Sequence, residues 1–224
     1  MNFLETPEVE YKILKDLFPP NYKGVIIDIG ANEPVYQNNS YPFEMDGWKC
    51  YCVEPNPKWT QPLRNIRKNV YPIAIGDKNE NNVDFFLYNF NSNQAAGSGL
   101  IKQFDLDNTL GLSQDVINKT YGGIIKVNVR TFKWFLESEF IDDHIDIIFI
   151  DVERAEMMVL STLDVYKWKP NIIVIENLNE AVEENIFERN ISNFRPDDEQ
   201  HVWFKERGYE RKYRIWYDDI YVRC

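Results

Sequence analysis

Carboxylates stand at or just past the ends of four apolar runs. Asp28 lies in "GVIIDIG" (24–30) and Glu54 closes "WKCYCVE" (48–54). Asp151 and Glu153 end "IDIIFIDVE" (145–153), and Glu176 precedes Asn177 in "NIIVIEN" (171–177). A carboxylate so placed can accept hydrogen bonds from a ligand hydroxyl, hold a cation, or take a proton from a reacting group. Which of these applies depends on how the runs are arranged.

Continuous apolar runs of this length, bounded by glycine or polar residues, read as strands buried on both faces. "YPIAIGD" (71–77) is a third such strand, "VDFFLYNF" (83–90) is β-rich, and "IIKVNVRTF" (124–132) is a further strand leading into the helix "FKWFLESEF". "QAAGSGL" (94–100) reads as a loop. Residues 5–18 form an amphipathic helix closed by "PPNYKG", and "AEMMVLSTLDVYKW" is a helix between the last two buried strands. A polar helical region follows, and "YERKYRIW" (209–216) with "IYVRC" (220–224) makes a hairpin. The expectation is an α/β fold with a doubly wound, mostly parallel sheet and a C-terminal antiparallel hairpin. One domain spans 1–224, with a helical segment at 1–23, a ligand-binding core at 24–177 and a helix plus hairpin at 178–224. Ligands of such sheets bind beyond the carboxyl ends of the strands, where strand order reverses. Those ends carry Asp28-Ile29-Gly30, Glu54, Ile75-Gly76, Asp151 and Glu176.

Charge narrows the ligand. With 25 Lys plus Arg against 36 Asp plus Glu, the net charge is −11. Such a surface repels phosphate backbones and anionic lipid, so neither nucleic acid nor membrane is an expected partner. No apolar run reaches the ~18 residues of a membrane span. The N-terminus has neither a basic start nor an apolar core, so a cytoplasmic protein is expected. Cys50, Cys52 and Cys224 lack a second ligand pair at zinc-site spacing and read as free thiols. His144 and His201 read as structural, and Trp59, Tyr36 and Tyr41 as core or rim packing.

The loop after the first strand says which small molecule fits. A dinucleotide site needs several glycines so that backbone N–H groups approach the diphosphate. Here Gly30 is followed by Asn32, Glu33 and Pro34, which add bulk, an anion and a residue without an N–H. S-adenosylmethionine has no phosphate and carries a cationic sulfonium, which carboxylates attract. Glu54 lies 54 − 30 = 24 residues past Gly30, close to the ~20 at which an acid bonds ribose hydroxyls in nucleoside-binding sheets. Asp28, Gly30 and Asn32 would then face the methionine end, with Ile75 and Gly76 bordering the adenine.

"DIGAN", "SYPFEMDGWKCYCVEPNP" with "LRN", "VNVRTFKWFL", "IDIIFIDVERAEMMVL" and "IIVIEN", in this order, resemble the FkbM-type methyltransferases. The resemblance runs from about residue 24 to 177. It implies a class I, Rossmann-like fold, S-adenosylmethionine as donor, and mostly O-methylation of sugars or natural products. Two positions depart from the family: Pro34 and Arg154 each stand where glycine is usual. Arg154 places a long cation beside the expected acceptor pocket.

Methyl transfer is an in-line displacement, and a sugar hydroxyl benefits from a general base or a metal. Asp151, Glu153 and Glu176 are the candidates for catalysis. Glu156 lies three residues after Glu153 and shares its face if the helix has already begun. Asp151, Glu176 and Asn177 offer oxygen ligands alone, which suits Mg²⁺ or Mn²⁺. That set resembles the catechol-type O-methyltransferases, although Arg154 occupies the offset of their lysine base and a guanidinium stays protonated. Without a metal, Asp151 and Glu176 would hold the methionine amine and the acceptor hydroxyl. Two other classes stay open: a nicotinamide-dependent oxidoreductase or epimerase, if the Pro34 loop can cradle a diphosphate, and a non-catalytic methyltransferase-like binding module.

Overall fold

The computed structural model describes residues 6–88, 98–100, 121–177 and 198–224. The expected 94–100 loop falls mostly outside these residues, as does most of the polar helical region after Asn177.

Continuous burial accounts for the centre of the main sheet. Strands β1 (Val25–Ile29), β2 (Lys49–Val53), β8 (Ile147–Ile150) and β9 (Ile172–Glu176) are apolar on both faces and pair in parallel. Short β3 (Asn69–Tyr71) extends the sheet beyond β2. At the other edge the hairpin of β10 (Tyr209–Ile215) and β11 (Asp218–Arg223) adds antiparallel to β9. The order β10-β11-β9-β8-β1-β2-β3 means that the chain builds outward from β1, then returns to β1's other side at β8. Strand order therefore reverses between β1 and β8.

Each face of this sheet carries helices. Val25, Ile27 and Ile29 point to a core shared with α4 (Phe132–Ser138), α5 (Glu156–Ser161), α6 (Val165–Trp168) and α7 (Glu199–Glu206). Ile26 points the other way, to a core that includes α1 (Thr6–Lys15) and α2 (Tyr41–Met45). Leu63 of α3 (Pro57–Ile66) packs with Cys52 and Ala31. The single predicted helix after Glu153 is two helices, because Asp164 accepts from the N–H groups of Tyr166 and Lys167 and starts a new one.

A second sheet corrects the one-sheet expectation. The predicted strand 71–77 breaks after Tyr71, and β4 (Ala74–Gly76) leaves the main sheet to pair with β7 (Tyr121–Thr131). β7 pairs antiparallel with β5 (Glu80–Tyr88), which pairs with β6 (Gly99–Leu100). Burial alternates along much of β7, as in a strand with one wet face. Phe85, Leu100, Val127 and Val129 form the buried side of this sheet.

Among the described residues no helix is long and apolar enough to cross a membrane. Cys50, Cys52 and Cys224 are free thiols. His144 sits at the amino end of β8, near Asp146, whose carboxylate ties Val25, Tyr22 and Asn171 together there. That is the end of the sheet away from the carboxylate cluster.

α1 packs Glu10 into the molecule at 1% exposure, where neither carboxyl oxygen meets an N–H or hydroxyl donor. It faces Asp218 at the start of β11. Burial, then the Asp218 charge, raises the Glu10 pKa well above its ordinary value, while Asp218 rises to about 6. Glu10 thus carries a proton that Asp218 can accept a hydrogen bond from. A carboxyl raised in the folded state favours folding below its unfolded pKa, and that contribution is lost as pH climbs toward the folded value. Glu10→Gln keeps a donor for Asp218 without that loss. Urea unfolding should find the variant more stable than wild type at pH 8, with the difference vanishing near pH 4.

Candidate active site

Where strand order reverses, one close approach shapes a cleft. Gly30 has φ +89°, and a Cβ there would overlap the carbonyl oxygen of Asp151. Only glycine lets the chain leave β1 against the end of β8 in this way. The N–H of Asp151 donates to the Ile29 carbonyl at 3.0 Å, and the N–H groups of Gly30 and Ala31 donate to the Val53 carbonyl. The ends of β1, β2 and β8 are thereby stitched together, and beyond them a cleft encloses about 670 Å³ of empty space, part of it open to solvent.

Gly30, Asn32, Glu54, Ile75, Asp151 and Glu153 line the cleft. Asn56, Phe85 and Leu100, which the sequence did not single out, also line it, as does Trp59, which was expected only to pack in the core or at a rim. Trp59 projects from α3, and Phe85 and Leu100 come from the second sheet, so the cleft lies between the two sheets. The "EPNP" stretch was a signal for Asn56; nothing in the sequence tells which β-rich segment folds over the cleft.

Glu54 is 5% exposed, and each of its oxygens accepts one backbone N–H: Asn32 at 2.9 Å and Asn56 at 2.7 Å. A carboxylate oxygen has a second lone pair, so both retain capacity for a ligand hydroxyl. Burial pushes the Glu54 pKa up to about 7, against the lowering effect of these two bonds.

Asp151 lines the cleft and is exposed there. Its pKa lies well above the ordinary range, first through desolvation and then through Glu176, Glu153, Asp218 and Glu156. Glu176, at the end of neighbouring β9, is raised to about 9 by desolvation and by Glu153, Glu156 and Asp218, with Arg154 opposing. Glu176 Oε2 is buried without a hydrogen-bond donor. Several acids compete here for few cations, an arrangement that a positively charged ligand would relieve.

Glu156 has a different task from the one its spacing implied. Helix α5 begins at Glu156, so Glu153 and Glu156 do not share a helix face. Glu153 and Arg154 both have positive φ, +54° and +74°. The Glu156 carboxylate accepts from the N–H groups of Arg154 at 3.1 Å and Val152 at 3.4 Å, holding that turn. Burial raises its pKa to about 7.

Four expected site residues are not among those that line the cleft: Asp28, Gly76, Glu176 and Asn177. Glu176 stands beside it, at the end of β9. Asp28 is not among the cleft-lining residues; it points to the opposite face of β1, where it accepts from Ser40 Oγ at 2.5 Å. Gly76 is packed against Val129 in the second sheet, although Ile75 beside it does line the cleft. Asn177 is fully buried, and its side-chain nitrogen donates to Asp219 at 3.1 Å and Asp198 at 3.4 Å. This corrects the expected Asp151–Glu176–Asn177 metal set, since Asn177 is committed to β11 and the start of α7. Among the described residues no group of three or more His, Cys, Asp or Glu side chains has metal-binding geometry.

With the cleft placed at the β1–β8 reversal, the comparison with known families becomes decisive. The model of the methyltransferase FkbM domain matches residues 28–211, most of the chain. The chain belongs to this family. The match begins inside β1 and runs into β10, further than the motifs alone reach. No curated protein matches the chain.

The resemblance implied glycine where Arg154 stands, and the left-handed φ of Arg154 is one that glycine adopts without strain. A left-handed φ costs a non-glycine residue ~1–2 kcal/mol, while glycine gives back ~0.5–1 kcal/mol through its freer unfolded chain. Arg154→Gly should therefore stabilise the protein by about 0.5–1 kcal/mol, measured by chemical denaturation at pH 7.

Proposed function

We propose that the protein is an S-adenosylmethionine-dependent O-methyltransferase acting on a sugar, a glycan or another small hydroxylated acceptor. The strand order, with its reversal between β1 and β8 and its antiparallel β11, supports reading the mixed α/β fold as class I and Rossmann-like. The observation that carries the reading is Glu54: a buried carboxylate at a strand end, already oriented by two N–H groups, with one lone pair left on each oxygen.

The residues fit this donor on further grounds. Trp59, Ile75, Phe85 and Leu100 supply apolar wall for an adenine, and Glu54 sits where ribose hydroxyls would follow. Asp151 and Glu176, crowded by like charge and with an orphaned oxygen on Glu176, suit an ammonium and a sulfonium. Glu33, beside the same loop, is also raised by burial and disfavours a diphosphate, so the nicotinamide alternative is the poorer fit.

When bound, S-adenosylmethionine supplies an electrophilic methyl group on a good leaving group. The chain's own contribution is to hold the acceptor oxygen in line and to accept its proton. Asp151 and Glu153, which line the cleft, are our candidates for that role, with Glu176 beside them at the end of β9. A cation beside them favours their ionised forms, so proton acceptance and cofactor binding are coupled through charge. The engagement of Asn177 with Asp198 and Asp219 favours the reading in which Asp151 and Glu176 act without a metal.

Two measurements test this. In calorimetry, Glu54→Gln should weaken S-adenosylmethionine binding by ~1.5–3 kcal/mol, because a charge-assisted acceptor is lost. Ribose hydroxyls require the ionised carboxylate, so wild-type affinity should fall as pH drops from 8 to 6, and Glu54→Gln should lose that component. Equal affinity in both proteins would remove Glu54 from the site. In the second, methyl transfer to a panel of sugars is assayed after EDTA treatment. Activity that survives chelation and rises from pH 6 to 9 is expected; loss that Mg²⁺ or Mn²⁺ restores would reinstate a metal, and transfer to none of the hydroxylated acceptors would overturn O-methylation.

A further inference from the structure

Behind the cofactor loop, on the side away from the cleft, lies a buried polar network that the proposed chemistry does not use. Arg67 caps the C-terminal end of α3 and is 4% exposed. Its guanidinium donates to Asn38 Oδ1 at 3.0 Å, to Ser40 Oγ at 2.7 Å and to Glu44. Tyr41 covers it, with the ring centroid 5.7 Å away. Its backbone is fixed as well, since its N–H donates to the Leu63 carbonyl at 2.7 Å.

Asn38 relays this anchor to the loop. Its side-chain nitrogen donates to the carbonyls of Ala31, at 2.7 Å, and Glu33, at 3.1 Å. These flank Asn32, which has φ +51° and donates its N–H to Glu54 from the other side. A residue in the left-handed region stays there only when its surroundings hold it. Here they do so from two directions: Glu54 from the cleft and Asn38 from behind. Asn38 is itself 1% exposed, and its carbonyl oxygen accepts from Arg67, from the Tyr41 N–H at 2.7 Å and from Ser40 Oγ at 3.2 Å. Ser40 Oγ also reaches Asp28, so Asp28 acts as a counter-charge to Arg67.

We propose that Arg67 is a positioning residue for the cofactor loop, acting through Asn38 on the Ala31–Glu33 turn without touching cofactor. A lysine cannot replace it, because one ammonium cannot span Asn38, Ser40 and Glu44 in the planar fork that arginine presents. The part of the inference that concerns affinity rests on the S-adenosylmethionine reading above; the part that concerns the loop does not.

The test uses Arg67→Lys, Asn38→Ala and the double variant in the full chain. Calorimetry should show S-adenosylmethionine affinity falling tenfold or more in each single variant. The double variant should lose no more than Asn38→Ala alone, since the two act in series. At saturating cofactor, turnover should stay within threefold of wild type. Losses that multiply in the double variant, or turnover that falls while affinity holds, would overturn the relay. Hydrogen exchange read by NMR gives an independent arm: the Asn32 amide should be protected in wild type and lose protection in Arg67→Lys, while β8 amides keep theirs. Unchanged Asn32 protection contradicts the inference even if wild type binds no S-adenosylmethionine. Wild type that binds none, with protection lost as expected in the variant, sinks the cofactor reading alone. Should Arg67→Lys fail to fold, Asn38→Ala read by the same exchange decides.

Discussion

The approach of β1 to the end of β8 at Gly30 is the constraint on which the site depends. Because no Cβ intervenes, the Asp151 carbonyl lies against the glycine, and the Asp151 N–H pairs with Ile29. That contact fixes where the loop after β1 leaves the sheet. It also brings the Asp151 carboxyl into the same cleft as Glu54, although the two are 97 residues apart in sequence (151 − 54). A bulkier residue at 30 would separate the strand ends, and the two carboxylates would no longer line one cleft.

Around that junction, buried charge is handled in two contrasting ways. Below the loop, Arg67 brings several donors to Asn38, Ser40 and Glu44, and the network is closed on itself. Such closed networks rigidify a core at the expense of desolvation. In and beside the cleft the balance is reversed: Asp151, Glu153, Glu156, Glu176 and Asp218 crowd together, with Arg154 the opposing charge acting on Glu176. The raised pKa values of Asp151, Glu156, Glu176 and Asp218 record an unfavourable field, and a field of that sign favours a cationic ligand. Rigidity lies behind the loop, and unsatisfied charge lies in front of it.

Much of this was legible in the sequence, and for definite reasons. β8 and β9 are unbroken apolar runs with a carboxylate at or just past the end, and β1 is apolar but for Asp28 near its end, so composition and position identify all three. Gly30 and Glu54 followed from loop chemistry and spacing, and both line the cleft. Asp28 did not follow, because alternation turns its side chain to the opposite face from Ile27 and Ile29, and a strand-end position alone does not reveal the side. The second sheet was hidden by Pro72 and Ile73, which read as part of one strand but divide β3 from β4. Arg67 was invisible in "RNIRKNV", where burial comes from partners at 38–44 that only the fold supplies. Arg154 was legible as a departure from glycine, and its cause emerged only with its φ.

The central claim is that one cleft holds S-adenosylmethionine between Glu54 and the Asp151–Glu176 corner. A crystal structure of the protein soaked with S-adenosylhomocysteine tests it most directly. The account predicts ribose hydroxyls on Glu54, the adenine between Trp59 and the Phe85–Leu100 wall, and the amino-acid end beside Gly30 and Asp151. A nucleoside bound elsewhere, or one whose ribose avoids Glu54 in this cleft, would contradict it.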